Sequence, residues 1–141
     1  MPSKKLRKDR VIVAIGRRKS ATASVRLIES PADSGSNIII NNLSWDKYFS
    51  EHPLTAKRLL KPFELTSLSG KFQTTVKVKG GGKAAQIEAV ALGIARAIVE
   101  FDLNLKPILR REGFMTRDPR EKERKKPGFL GARKKPQYSK R

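Results

Sequence analysis

Residues 72–79 alternate without a break. Phe72, Thr74, Val76 and Val78 fall on one face and Gln73, Thr75, Lys77 and Lys79 on the other, the period of a half-buried strand whose outer face is polar and basic. From 83 to 102 the period changes: Ile87, Val90, Ala91, Ile94, Ile98 and Phe101 recur at three- and four-residue spacing, which predicts a helix laid on a sheet. Gly93 inside it costs up to about 1 kcal/mol relative to Ala, so it marks either a close backbone approach or simple tolerance. Upstream, residues 11–15 are a short apolar run, and 21–27 alternate with Ala21, Ala23, Val25 and Leu27 opposite Thr22, Ser24 and Arg26. These read as two strands joined by a loop, Gly16-Arg-Arg-Lys-Ser20, that carries three consecutive positive charges. Residues 31–37 are a loop by composition, and Ile38-Ile39-Ile40 is β-branched enough for a third strand. Ser44 is placed to cap a short helix carrying Trp45, Tyr48 and Phe49, with Asp46 in its first turn, and Pro53 and Pro62 bracket another. Asn104 is placed to cap a helix with Pro107 in its first turn and Gly113 at its end. Periodicity stops after Phe114. The element order gives an α+β domain, an antiparallel sheet with helices mainly on one side.

Charge divides the chain differently. Of the formal +19, residues 1–10 carry +4, residues 11–105 carry +5 and residues 106–141 carry +10. The reading is therefore a basic arm at 1–10, one α+β domain at 11–115 and a basic tail at 116–141. The last twenty-five residues hold eleven Lys or Arg against three acids and no apolar run able to form a core, so their ordered state is expected on a polyanion. Extended, the 26 residues of the tail reach roughly 85 to 95 Å, against a gyration radius of about 13 Å for the domain. With no Cys and one His, disulfides, thiolate metal sites and His-rich zinc sites are excluded, and an internal compartment is expected. No run approaches the roughly twenty apolar residues that span a bilayer, and the start lacks the apolar segment of a secretory signal.

Little here suggests catalysis. Glu100 and Asp102 lie two apart on a helix and point in different directions, and His52 beside Pro53 has no evident partner. Gly80-Gly-Gly-Lys83 joins the basic strand to the long helix. It lacks the nucleotide-binding pattern, having Lys77 where that motif needs Gly and Ala84 where it needs Ser or Thr. A flexible connection and a grip on an RNA phosphate through backbone N–H groups are the two leading readings for it, with nucleotide hydrolysis below both. Trp45, Tyr48 and Phe49 have the spacing of core residues, although stacking on bases is the alternative. Tyr138, with no core near it, is expected to stack on a partner. Two other functions compete with an assembly role for this basic chain: a free-standing nucleic-acid binder, and a phosphotransfer enzyme built on the Gly80 loop.

Several segments in order resemble one family, the ninth protein of the small ribosomal subunit in its bacterial or organellar form. They are Gly16-Arg-Arg-Lys-Ser20 with Ala21 and Val25, Val76-Lys-Val-Lys-Gly-Gly-Gly82, and the helix with Gln86, Gly93, Ala95, Arg96 and Ala97. After these come Leu109-Arg-Arg with Gly113-Phe, Thr116-Arg-Asp118, Glu123-Arg-Lys-Lys126 and the ending Ala132-Arg-Lys-Lys-Pro-Gln-Tyr-Ser-Lys-Arg141. The resemblance implies a small sheet backed by helices, a βαβ crossover of the uncommon left hand, and a long extended basic tail. It implies a non-enzymatic constituent of the small subunit without cofactor, membrane contact or homo-oligomer. Such a protein binds small-subunit rRNA in the head, beside neighbouring head proteins, in the bacterial cytoplasm or the plastid stroma. Its implied rRNA contacts are Arg17, Arg18, Lys19, Lys77, Lys79, the amides of Gly80, Gly81 and Gly82, and in the tail Arg124, Lys125, Lys126, Arg133, Lys134, Lys135 and Tyr138. Ser139, Lys140 and Arg141 would meet the anticodon stem-loop of peptidyl-site tRNA, with the planar fork of Arg141 on backbone phosphates. Lys83 and Ala85 stand where the family more often has an apolar residue and a Gly. Residues 1–10 and 30–36 are less typical of it and take no assigned role.

Overall fold

The computed structural model describes residues 11–29 and 37–140; the basic arm at 1–10, the loop at 30–36 and Arg141 lie outside the described residues. Five strands, β1 Val11–Arg18, β2 Ala21–Glu29, β3 Ile38–Ile40, β4 Leu43–Ser44 and β5 Phe72–Lys79, form one sheet in the order β1-β2-β5-β3-β4. β1 and β2 are a hairpin in which Gly16 pairs with Ala23, Arg17 with Thr22 and Arg18 with Ala21. The expected five-residue basic loop is therefore a two-residue turn, Lys19-Ser20, and both arginines belong to the strand. Long, straight side chains fit a pleated edge, and the alternation sends Arg17 and Arg18 to opposite faces.

The sheet is mixed, not wholly antiparallel. β3 runs parallel to β5 and antiparallel to β4. A parallel pair needs a long connection, and the chain from β4 to β5 supplies it with α1 Trp45–Tyr48, α2 Pro53–Ala56, a 3-10 turn at Lys57–Leu59 and α3 Lys61–Leu65. Ser44 occupies the N-cap position of α1 without a side-chain capping bond, and Pro62 sits in the first turn of α3 instead of closing a helix begun at Pro53. β4 was not foreseen. It is set up by Asn41 and Asn42, both at positive φ, a two-residue hairpin turn for which Asn is among the best residues.

α4, Lys83–Phe101, lies across β1 and β2 as the three-to-four spacing requires, burying Ile87, Val90, Ala91, Ile94 and Ile98 against Ala14, Ala23, Val25 and Leu27. Helix and strand approach closely at two glycines. A methyl on Gly93 would sit 2.6 Å from Val25 Cγ2, and one on Gly16 would collide with Ala89 O and lie 2.6 Å from Gly93 N. Gly93 thus marks a close approach, not tolerance. α5, Lys106–Arg111, has Pro107 in its first turn as expected, but the preceding 3-10 turn is capped by Asp102, whose Oδ1 accepts from Asn104 N at 2.9 Å. Phe49 is buried and Tyr48 half-buried, in accord with their core spacing. Among the described residues no helix is long and apolar enough to cross a membrane.

Candidate nucleic-acid interface

With the helices packed on one side, the other sheet face is open. Successive rows across it read Arg17, Thr22, Lys79 and then Ile15, Ser24, Lys77. Val11, Val13 and Ile15 add an exposed aliphatic strip along β1, so the face grades from apolar at the β1 edge to basic on β5 and at the hairpin end. Lys19 projects from the turn at that same end with φ 49°. The Gly80 loop completes the group, because it packs on the turn. Gly80 and Gly81 have φ 73° and 66°, and a methyl on Gly80 would lie 2.6 Å from Ser20 O. Glycine is required there by both conformation and space.

The loop is held from behind. Gln86 Nε2 donates to Gly80 O at 3.0 Å while its Oε1 accepts from Tyr48 Oη at 3.1 Å. Tyr48 Oη in turn accepts from Asn41 Nδ2 at 3.3 Å, and Asn41 clamps both polar groups of the Val78 backbone. The Lys83 ammonium lies 3.6 Å from the Tyr48 ring centroid and 5.9 Å from that of Phe49, so its charge meets a π face. Gly82 is the N-cap of α4 and has no side-chain capping bond, so the first amides of a nineteen-residue helix open beside the loop. Fixed in this way, the segment is a built corner of the sheet and not a flexible link.

Arg18 does not join this face. Only 11% of its side chain is exposed, and its guanidinium is spent internally: Nε to Glu88 Oε2 at 2.6 Å, Nη2 to Asp118 Oδ2 at 3.1 Å and Nη1 to the carbonyl of Arg120 at 2.6 Å. The side chain and backbone N–H of Arg120, followed by the charge of Arg18, hold the Asp118 carboxyl well below the usual carboxylate range. Reciprocally, Asp118 raises Arg120. This cluster fastens the first residues of the tail to β1 and α4. Nothing in the chain's patterning marks it beyond the acid in Thr116-Arg-Asp118, because Arg18, Glu88 and Asp118 lie 30 to 100 residues apart.

Past Arg111 none of the described residues is helical or in a strand, yet the tail has local order. Glu123 accepts from Lys126 Nζ at 2.7 Å and from Arg133 Nε at 2.9 Å, and both bonds hold its carboxyl below the usual range. Leu130 N donates to Lys134 O at 2.8 Å, Gly128 turns the chain at φ 78°, and Lys135 lies 5.7 Å from the Phe129 ring centroid. Lys126, Arg133 and Lys135 therefore close a small loop, while Arg124, Lys125, Lys134 and Lys140 are exposed on its outside. Tyr138 is 84% exposed.

No group of three or more His, Cys, Asp or Glu suited to a metal occurs among the described residues. A family profile described as Ribosomal protein S9/S16 matches residues 16–141, from the glycine under α4 through the basic corner, the anchored segment and the tail. That family consists of structural, non-enzymatic proteins of the ribosome that bind rRNA alongside other ribosomal proteins. The fold, the basic open face and the profile agree, and the chain belongs to the ribosomal protein S9/S16 family.

Proposed function

We propose that this chain is the ninth protein of the small subunit, seated on head rRNA by its sheet end and reaching peptidyl-site tRNA with its tail. One observation carries the reading. Arg17, Lys19, Lys77 and Lys79 share one face and end of the sheet and have no carboxylate partner among the described residues, whereas adjacent Arg18, facing inward, has two. Cations left unpaired in one place are the footprint of a polyanion. Backbone phosphates meet Arg17, Lys19, Lys77 and Lys79, with the amides at Gly80 to Gly82 and the head of α4 as neutral donors. The aliphatic strip on β1 adds contact that does not depend on charge.

In the tail, Arg124, Lys125 and Lys134 meet rRNA first, and Lys126, Arg133, Lys135 and Tyr138 follow as the small loop opens on the RNA. Ser139, Lys140 and Arg141 then contact the tRNA anticodon stem-loop. On this reading 11–115 is the rRNA-binding domain and 116–141 the tail, whose root is held through Asp118 and the Arg120 carbonyl by Arg18. The ribosome concerned is that of a bacterium or a plastid, and the chain works as one copy per subunit beside other head proteins.

Two measurements test this. The chain should stay with small subunits through a high-salt wash; release into the wash, with equal affinity for generic duplexes, would point to a free nucleic-acid binder. Deleting residues 139–141 should leave assembly intact and weaken peptidyl-site tRNA binding. Truncated subunits that hold this tRNA as tightly as intact ones would remove the tip from the mechanism.

A further inference from the structure

β1 is an outer strand of the sheet, and its free edge is not bare. Arg96, on the exposed side of α4, reaches round this edge and donates Nη1 to Ile15 O at 2.8 Å. Arg17 lies two residues further along, and the chain leaving α5 brings Arg117 to the same place. Ile15, Arg17, Arg96 and Arg117 line one cleft of about 480 Å³. In a regular ladder residues i and i+2 turn their backbone groups the same way, so the N–H of Arg17 faces the same free edge as the carbonyl of Ile15.

The charges around this cleft are divided unequally. Asp118 and Glu88 are taken by Arg18 and Arg120 on the adjoining side. The cleft arginines have one acid between them, Glu121, which touches Arg117 at 3.4 Å on an exposed surface. Three guanidinium groups with one weak counter-charge repel one another, and an anion between them relieves that repulsion while accepting paired N–H bonds. The acceptor that suits planar forks arriving from a strand, a helix and a loop is a tetrahedral oxyanion, which offers oxygens in several directions. Through Arg17 and Arg117 the cleft joins the open sheet face to the tail root, the two surfaces assigned to RNA above.

We infer that Arg17, Arg96 and Arg117 form a three-armed clamp for a single backbone phosphate of RNA at the β1 edge, with the tail-root anchor holding the third arm in place. The inference rests on the rRNA-binding reading above and gives it a site. Arg96 is the preset arm, fixed by Ile15 O, and Glu121 is the competitor that RNA displaces from Arg117.

Phosphate-ethylation interference on a head-rRNA fragment bound by the full chain tests the clamp. Wild type should show one phosphate whose ethylation lowers affinity about tenfold. In Arg17→Gln and in Arg117→Gln the same phosphate should lose its effect, and the double variant should bind less than threefold more weakly than either single one, because all share one ligand. Glu121→Gln should bind more tightly than wild type, and Lys106→Gln, outside the cleft, should leave the interference pattern unchanged. If Arg96→Gln fails to fold, the other two arms still decide. Should the two variants silence different phosphates or none, the clamp is wrong while rRNA binding stands. Should wild type show no saturable binding, both fall. Perturbation of the Arg17 and Arg117 guanidinium signals by millimolar inorganic phosphate, with no position effect in RNA, would assign the cleft to a small anion and overturn the inference.

Discussion

Gly16→Ala is expected to be among the costliest single-methyl additions in the molecule, and to damage RNA binding through the fold. The position has no need of glycine's backbone freedom, since it pairs regularly with Ala23 inside β1. Space is the reason. The added carbon would overlap Ala89 O and approach Gly93 N to 2.6 Å, both backbone atoms of α4 that no rotamer change can move. Restoring van der Waals separation of about 3.5 Å from both atoms requires strand and helix to part by well over 1 Å. A gap of that size forfeits about half or more of the dispersion attraction of each facing pair, and Val90 and Ile94, fully buried beside Ala89 and Gly93, lose most. Overpacking of this kind costs typically about 1–3 kcal/mol, and the immovable partners place this case at or above the top of that range, out of a total near 5–15 kcal/mol. Urea unfolding followed by the helical circular dichroism signal measures it. Gly82→Ser is the matched control, because nothing lies within 4 Å of its added atom and Ser is a preferred N-cap residue; it should be neutral or slightly stabilising. Withdrawal of α4 also carries Arg96 away from Ile15, so residual folded protein should bind rRNA less tightly than wild type. If Gly16→Ala unfolds within about 0.5 kcal/mol of wild type, the close approach of β1 and α4 is refuted.

Arg18→Gln should free the tail root, because Asp118 and the Arg120 carbonyl lose their partner on β1; limited trypsin digestion should then cut at Arg117 and Arg120 several-fold faster, and an unchanged rate would show that the root is held by something else. Acid should release the same segment in a defined window. Asp118 and Glu123 are both depressed, so their contacts are complete above the unfolded carboxylate values of about 3.9 and 4.3 and fade as pH falls toward the lower folded values. The side-chain Nε resonances of Arg120 and Arg133, which are bonded to Asp118 and Glu123, should therefore hold steady from pH 8 to about 5 and shift only in stronger acid; movement between pH 8 and 6 would contradict the assignment.

How far the sequence disclosed this arrangement depended on whether the signal was periodic. β5 and α4 were legible residue by residue, because each repeats its own period over eight and nineteen positions with apolar side chains that nothing else accounts for. The end of β1 was not. Gly16-Arg-Arg-Lys-Ser20 has the composition of a loop, and only the tertiary need for a bare backbone under α4 makes Gly16 a strand residue. The parallel β3–β5 pair was hidden for a related reason, since three isoleucines specify a strand and not its direction. Of the interface, the residue types were readable, and Arg17, Lys77 and Lys79 do meet on one face. Arg96 and Asp118 were recognisable only as members of quoted motifs, because an ion pair or a cleft between distant segments leaves no spacing to read.

The consecutive arginines show why that distinction bears on function. A loop would have offered Arg17, Arg18 and Lys19 together as three equivalent charges. A strand, with its period of two, cannot keep neighbours on one face, so one arginine of the pair must turn toward α4. Buried without a partner it would be untenable, and Glu88 on the helix and Asp118 from the tail root supply the counter-charge. The tail is thus tethered by the arginine that the hairpin could not present to solvent, and its tethering carries Arg117 to the edge where Arg17 emerges. Changing the register of β1 by one residue would exchange the two roles: Arg17 would be locked to the acids and Arg18 would face the RNA, but Arg96 would lose Ile15 O, the carbonyl that aims it. The anchoring of the tail and the binding of an RNA strand are on this account two consequences of one alternation, and neither can be altered without moving the other.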